Sequence, residues 1–253
     1  MLHKRQICRF LLLFLLAGLC LLTACGAGEG GETTPGAVST TKTKETTQQI
    51  PYIAPVTGTH ENKEGKSVQN PQAVIELADG GKIVLELYPE KAPNTVNNFL
   101  QLAKEGFYDG LLFHRVVDFA VQGGGFESVT KQKRLEYTIF GEFASNDFAQ
   151  NDIGHKRGVI SMARQGGNPP EAGYNTASSQ FFILPMDYPY LDGDYAAFGK
   201  VLTGMEVVDR IAAAPTGSYP MPDWPQEDIR IKTIAVSTFG ETYPAVEEYQ
   251  AKD

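Results

Sequence analysis

The sequence predicts a mainly β domain, an antiparallel barrel or sandwich carrying two helices. Three observations point to it. Short apolar runs alternate with polar residues and are broken repeatedly by glycine. Only two stretches repeat their apolar residues at helical spacing. The span from Gln72 to Phe239 has the size of one domain, and its many strands with few helices argue against a βαβ alternation.

The elements follow in order. Ala73-Val74-Ile75-Glu76-Leu77 and Lys82-Ile83-Val84-Leu85-Glu86-Leu87 flank the turn residues Asp79-Gly80-Gly81, which predicts a β-hairpin. Pro93-Asn94-Thr95 offers capping side chains ahead of Val96, Phe99, Leu100 and Ala103, whose spacing predicts a helix ended by Gly106. Further strands are predicted at 112–117, 159–162, 180–184, 196–201 and 230–238. A second helix is predicted over 205–213, where Met205, Val208, Ile211 and Ala212 recur at helical spacing.

The ends of the chain read differently. Lys4, Arg5 and Arg9 precede an apolar stretch from Phe10 to Leu22, the pattern of a secretory signal covering residues 1–24. Leu22-Thr23-Ala24-Cys25 resembles the lipobox of bacterial lipoproteins, which implies lipidation at Cys25 and a chain anchored to the outer face of the cytoplasmic membrane, or periplasmic or at the outer membrane in a Gram-negative cell. Residues 25–70 are rich in Gly, Thr, Glu, Lys and Gln and predict a disordered tether. The folded domain is then expected over 71–240, followed by a short acidic tail, 241–253, expected to fray.

Composition removes several function classes. Cys8, Cys20 and Cys25 are the three cysteines of the chain, so an exported remainder has no thiol for a disulfide, zinc or nucleophilic attack. Loss of residues 1–24 leaves 19 basic against 30 acidic side chains, which argues against nucleic acid as a partner and makes membrane attachment depend on the lipid. Gly123-Gly124-Gly125 lacks a Walker lysine, and no Gly-x-Ser-x-Gly elbow occurs. His114 and His155 have no second metal ligand at helical or hairpin spacing, so both are read as structural, and no metal or organic cofactor is expected.

One stretch stands out chemically. In Phe113-His114-Arg115-Val116-Val117, a strand alternation puts Arg115 on the same face as Phe113 and Val117. A guanidinium among apolar residues meets either an internal acceptor or a ligand's carbonyl. Gln122, just before the glycines, is placed to hold it.

Phe113-His114-Arg115 with Gln122-Gly123-Gly124, then Gly158-Val159-Ile160-Ser161-Met162-Ala163, Ser179-Gln180-Phe181-Phe182-Ile183, and Leu191-Asp192-Gly193 with Phe198-Gly199-Lys200-Val201 occur in this order. Together these blocks resemble the cyclophilin family of peptidyl-prolyl isomerases across the whole predicted domain. The resemblance implies a closed eight-stranded antiparallel β-barrel capped by two α-helices, with an outer groove for proline-containing polypeptides. It assigns catalysis to Arg115 with Gln122, and the proline pocket to Phe119, Phe182 and Leu191. Gln180 and Ala163 match groove residues. Arg164 replaces a common asparagine, Tyr195 stands where animal members carry histidine, and Ala120 replaces methionine and leaves a wider pocket. Tyr190 replaces a tryptophan of sensitive members, which implies weakened binding of cyclosporin. The segment before Phe119 is one residue short and 165–177 several residues long, so the groove rim is expected to differ. Phe113 and Phe181 are assigned to the core.

The chemistry suits an arginine. Rotation about an X-Pro bond breaks no bond but loses amide conjugation, and a fixed N–H donor that cannot deprotonate stabilises the twisted state. The alternative is a proline-peptide binding or chaperone module of the same fold with weak turnover.

Overall fold

The computed structural model describes residues 58–218 and 221–251. The signal segment, Cys25 and the tether as far as residue 57 lie outside the described residues. In chain order the elements are β1 (Thr59–Glu61), β2 (Ser67–Gln69), β3 (Gln72–Leu77), β4 (Lys82–Leu87), α1 (Pro93–Lys104), β5 (Phe113–Val117), β6 (Ala120–Gly123), β7 (Phe126–Ser128), β8 (Lys131–Gln132), β9 (Val159–Met162), β10 (Phe181–Ile183), β11 (Ala197–Thr203), α2 (Met205–Ala212), β12 (Thr216–Gly217), β13 (Trp224–Pro225) and β14 (Ile231–Ser237).

Eight strands form one antiparallel sheet in the order β14-β3-β4-β11-β9-β10-β6-β5. The expected closure of this barrel is corrected: the ladders describe an open half-barrel. No ladder joins its edge strands. They meet at the single bridge Leu112–Arg230, beside the bonds Gly110 N to Ile231 O (2.9 Å) and Phe113 N to Ile229 O (2.9 Å). The reason is positional, since the residues that meet precede β5 and open β14, so only the ends of the two edges overlap.

Alternation along the strands gives the sheet two apolar faces. Ile83, Leu85, Val121, Ile160, Phe181, Ile183 and Phe198 fill the main core with Phe99 of α1 and Val208 of α2. The intervening residues Ala120, Val159, Phe182, Leu184 and Ala197 form a second, separate cluster. A strand buried on both faces needs a covering layer on each. The two helices cover the first face, and the second has only loops over it.

The predicted helix 93–104 forms with Val96, Phe99, Leu100 and Ala103 all buried. Its capping differs from expectation. Ala92 is the N-cap and no local side chain caps it. Instead the buried carboxylate of Glu142 accepts both Asn94 N–H (2.9 Å, Oε1) and Thr95 N–H (2.8 Å, Oε2). Burial pushes the Glu142 carboxyl above its usual range, against these two donors.

Both ends of the domain are more ordered than composition suggested. Within the supposed tether, β1 and β2 pair as a hairpin around Asn62, whose Oδ1 accepts Glu64 N and Lys66 N, and Gly65 at φ 71° closes the turn. The tail expected to fray is docked: Asn94 and Glu247 exchange two hydrogen bonds of 2.8 Å, and Tyr249 N donates to Thr138 O. Tyr243 and Val246 pack against the main core. The two additions also meet, through Tyr243 with His60 (3.4 Å) and Asn62 Nδ2 donating to Glu241 Oε2 (3.1 Å).

Candidate active site

β5 and β6 pair out of step, Phe113 with Gly123 but Arg115 with Gln122, so an irregularity sits at His114. This overturns the expected facing. Phe113 is buried in the main core while Arg115 turns outward, its side chain 44% exposed. The extra residue re-aims the guanidinium from the core to the outer side of the sheet. His114 itself is buried, ringed by Phe126 and Trp224 with centroids at 4.6 and 5.9 Å.

Outside the sheet a polar row runs across β5, β6 and the residue that precedes β10. Arg115 Nη1 donates to Gln122 Oε1 (3.4 Å), and Gln122 Nε2 donates to Gln180 Oε1 (2.9 Å). Gln122 thus presents its carbonyl to the arginine and its amide to the next glutamine, which fixes the orientation of both. Gly125 makes room for this row. A Cβ there would lie 2.5 Å from Gln180 Cδ.

The second apolar cluster lies beside the row, Phe182 standing opposite Gln122 across β10 and β6. Ala120 and Phe182 are buried in it, and Phe119, Ala163, Leu191 and Tyr195 pack against them, half-buried. Six of the predicted groove residues, drawn from β6 and the turn before it, β10, the residue after β9, the 3-10 turn at Pro189–Leu191 and the chain leading into β11, therefore share one patch. An arginine beside an apolar patch, with one N–H given to Gln122 and its Nε facing Asp223, keeps the rest of its five-donor fork for a ligand that is apolar on one side and carries a carbonyl or amide on the other.

A cyclophilin-type peptidyl-prolyl cis-trans isomerase/CLD family model matches residues 73–236. The chain belongs to this family. A peptidyl-prolyl cis-trans isomerase of Schizosaccharomyces pombe is 43% identical over 161 residues, covering 62% of this chain and 97% of that one. Peptidyl-prolyl cis-trans isomerase B of Escherichia coli is 40% identical over 167 residues, covering 62% and 94%. A cyclophilin-type isomerase of Cryptosporidium parvum superposes with a TM-score of 0.53 at 27% identity, over 67% of this chain and 98% of that one, and was also solved in the presence of the dipeptide Ala-Pro. The fold and enzyme class are those of a peptidyl-prolyl cis-trans isomerase.

Within this cyclophilin domain the remaining predicted residues sort by contact. The Arg164 guanidinium lies 4.5 Å from the Tyr195 ring centroid and 5.2 Å from that of Tyr174, and its Nε donates to Asp194 O (2.9 Å). Its side chain braces the apolar cluster through Tyr195. Tyr190 does not join the cluster: it is 83% exposed and meets Tyr188 edge-on, at 5.4 Å. The two-residue step from Tyr188 explains this, since the 3-10 turn at Pro189–Leu191 carries Tyr190 outward. His155 is a buried, hydrogen-bonded histidine as expected, with Nδ1 3.1 Å from Asp192 Oδ1 and Nε2 3.1 Å from Ser161 Oγ, behind Phe182. Burial lowers its pKa, with Asp192 acting against that shift.

Two contributors escaped the sequence reading. Tyr188 stacks flat on Phe119, with centroids 4.1 Å apart and planes at 7°. The aromatic pair Tyr188 and Tyr190 around a proline was its one available signal. Asp223, which meets Arg115, gave none, because nothing local marks a residue so far along the chain.

A cavity of about 640 Å³ opens between the end of α2 and the loop 226–230, but none of its lining residues is among those predicted for the groove. Its guanidiniums are already paired, Arg210 with Asp79 and Arg230 with Asp228, each at 2.7 Å.

Proposed function

We propose that Arg115 is the catalytic donor of this isomerase and that the hollow of Phe119, Ala120, Phe182 and Leu191 takes the proline ring of an X-Pro substrate. The observation that carries the reading is the placement of Arg115, Gln122 and Gln180 in one hydrogen-bonded row along the edge of that hollow. The Ala-Pro dipeptide reported with the Cryptosporidium parvum relative supports a proline-containing ligand.

The mechanism follows from amide electronics. A planar amide resists rotation by about 18–20 kcal/mol because the nitrogen lone pair is delocalised. With the ring held and the preceding carbonyl free to swing, a guanidinium N–H directed at the prolyl nitrogen stabilises the twisted state, in which that lone pair is localised. The planar reactant offers it no such acceptor, so the interaction is made in the transition state alone. An acceleration of about 10⁵-fold corresponds to about 7 kcal/mol, which a charged donor in a water-poor hollow together with orientation can supply. Gln180, Ala163 and the Arg164 backbone line the path of the peptide, with Tyr195 closing one side.

Lipidation at Cys25 and action on exported polypeptides outside the cytoplasmic membrane complete the proposal, supported by Leu22-Thr23-Ala24-Cys25 after an apolar run. Mass spectrometry of the mature N-terminus tests that part, a diacylated Cys25 being expected. For the site, isomerisation of an Ala-Pro peptide is measured with Arg115→Ala, expected to lose at least about 100-fold in rate. Binding of the peptide without acceleration in the wild-type chain would favour the binding-module alternative. Tyr190 stands clear of the hollow, and weak cyclosporin binding is proposed on that ground.

A further inference from the structure

We propose that Asp223 is a positioning residue for the reaction, a carboxylate that holds the Arg115 guanidinium from its Nε side and so leaves the terminal donors that Gln122 does not engage for substrate. The proposal rests on the reading of Arg115 as donor.

The guanidinium is gripped from two directions. Asp223 Oδ2 lies 3.4 Å from Nε, while Nη1 reaches Gln122 Oε1 at 3.4 Å. Contacts at two different edges of a planar fork fix both its position and its plane, which a single partner does not. The ion pair is half-exposed, with the two side chains at 44% and 42%, so its worth to stability is small. Its value lies in restricting a long, rotamer-rich side chain before substrate arrives.

The carboxylate is itself well held. Asp223 O accepts Val116 N–H at 2.8 Å, pinning the residue to the strand that carries Arg115. Trp224 beside it is buried, edge-on to Phe126 at 5.5 Å and 5.9 Å from the His114 ring, and pairs with Gly217 across β12 and β13. Asp223 adopts φ 63°, the left-handed region that Asp and Asn tolerate better than other residues with a side chain. The strand just past the bulge thus carries the arginine and, one residue on at Val116, anchors its counter-ion.

The test uses the full-length chain with Asp223→Gly and Asp223→Asn, both compatible with the left-handed backbone. Isomerisation kinetics of an Ala-Pro peptide are read beside emission from Trp224, the sole tryptophan of the chain, and the exchange rate of the Arg115 Nε proton by NMR. For Asp223→Gly, kcat is expected to fall about fivefold at unchanged KM, with faster Nε proton exchange and unaltered tryptophan emission. Asp223→Asn is expected to recover part of the loss. An unchanged kcat in Asp223→Gly overturns the proposal, as does a loss that tracks a shift in Trp224 emission, which marks displacement of the loop. Arg115→Ala separates the two readings: if it is inactive while Asp223→Gly is fully active, only the positioning role fails, and if Arg115→Ala is fully active, both fail.

Discussion

At the scale of single residues, the site depends on small omissions as much as on the groups that act. Gly125 leaves the space that Gln180 occupies, and Gln180 in turn holds the Gln122 amide that orients Arg115. Gly125→Ala is expected to push Gln180 aside and to lower kcat about threefold while changing the melting temperature little, since the displaced group is a flexible side chain. Stopped-flow isomerisation beside a thermal melt checks this. His114 carries a different expectation. Burial between Phe126 and Trp224 pushes it down to about 4, whereas an unfolded histidine titrates near ~6.5. The unfolded chain therefore takes the proton first, so stability present above ~6.5 is lost as the pH falls toward 4, by up to roughly 3 kcal/mol. In His114→Phe this part of the slope is expected to vanish, leaving the contributions of His155, of the same sign, and of Glu142, of the opposite sign, and denaturant midpoints at pH 7 and 4.5 read the difference between the two proteins. Equal slopes in the two proteins would rule out His114 as its source.

At the scale of elements, legibility followed periodicity. The β3-β4 hairpin and both helices were readable because their apolar residues repeat at periods of 2 and 3.6, although burial runs past those repeats, β3 and β4 being covered on both faces and α1 along most of its length. The same rule misled at Arg115, because a bulge inserts one residue and reverses the facing of everything beyond it. β1 and β2 were missed since each sends only its middle residue inward, and the Asn62 to Gly65 turn was the only cue. The cap of α1 was unreadable for another reason, its carboxylate arriving from Glu142, remote in sequence. Glu142→Gln is expected to destabilise the domain by about 1–2 kcal/mol, because the amide faces one of the two helix N–H groups with a donor of its own. Urea unfolding measures it, and an unchanged midpoint would show the cap to be dispensable.

At the scale of the whole molecule, the family match ends at residue 236, and the chain beyond it packs back on the domain. Together with the β1-β2 hairpin, this segment makes a clasp around one side of the half-barrel through Tyr243 with His60 and Glu241 with Asn62. Removing residues 240–253 strips Tyr243 and Val246 from the core and is expected to lower the melting temperature by about 4 °C or more without altering kcat, since among the described residues they pack in the main core and the predicted groove residues in the other cluster. Closure of the barrel was not legible either, because it depends on how far two distant edges overlap. Of the candidate site, six residues named for the groove from their motifs share one cluster, while Asp223 came only from tertiary placement and Tyr188 had no more than a neighbouring tyrosine and proline to mark it. The measurement that bears most directly on the whole account is kcat of Arg115→Ala in a protein whose binding of an Ala-Pro peptide is followed by NMR titration. Binding within a few-fold of wild type with kcat lowered at least about 100-fold is the expected result, and a variant that still accelerates isomerisation at the wild-type rate would contradict it.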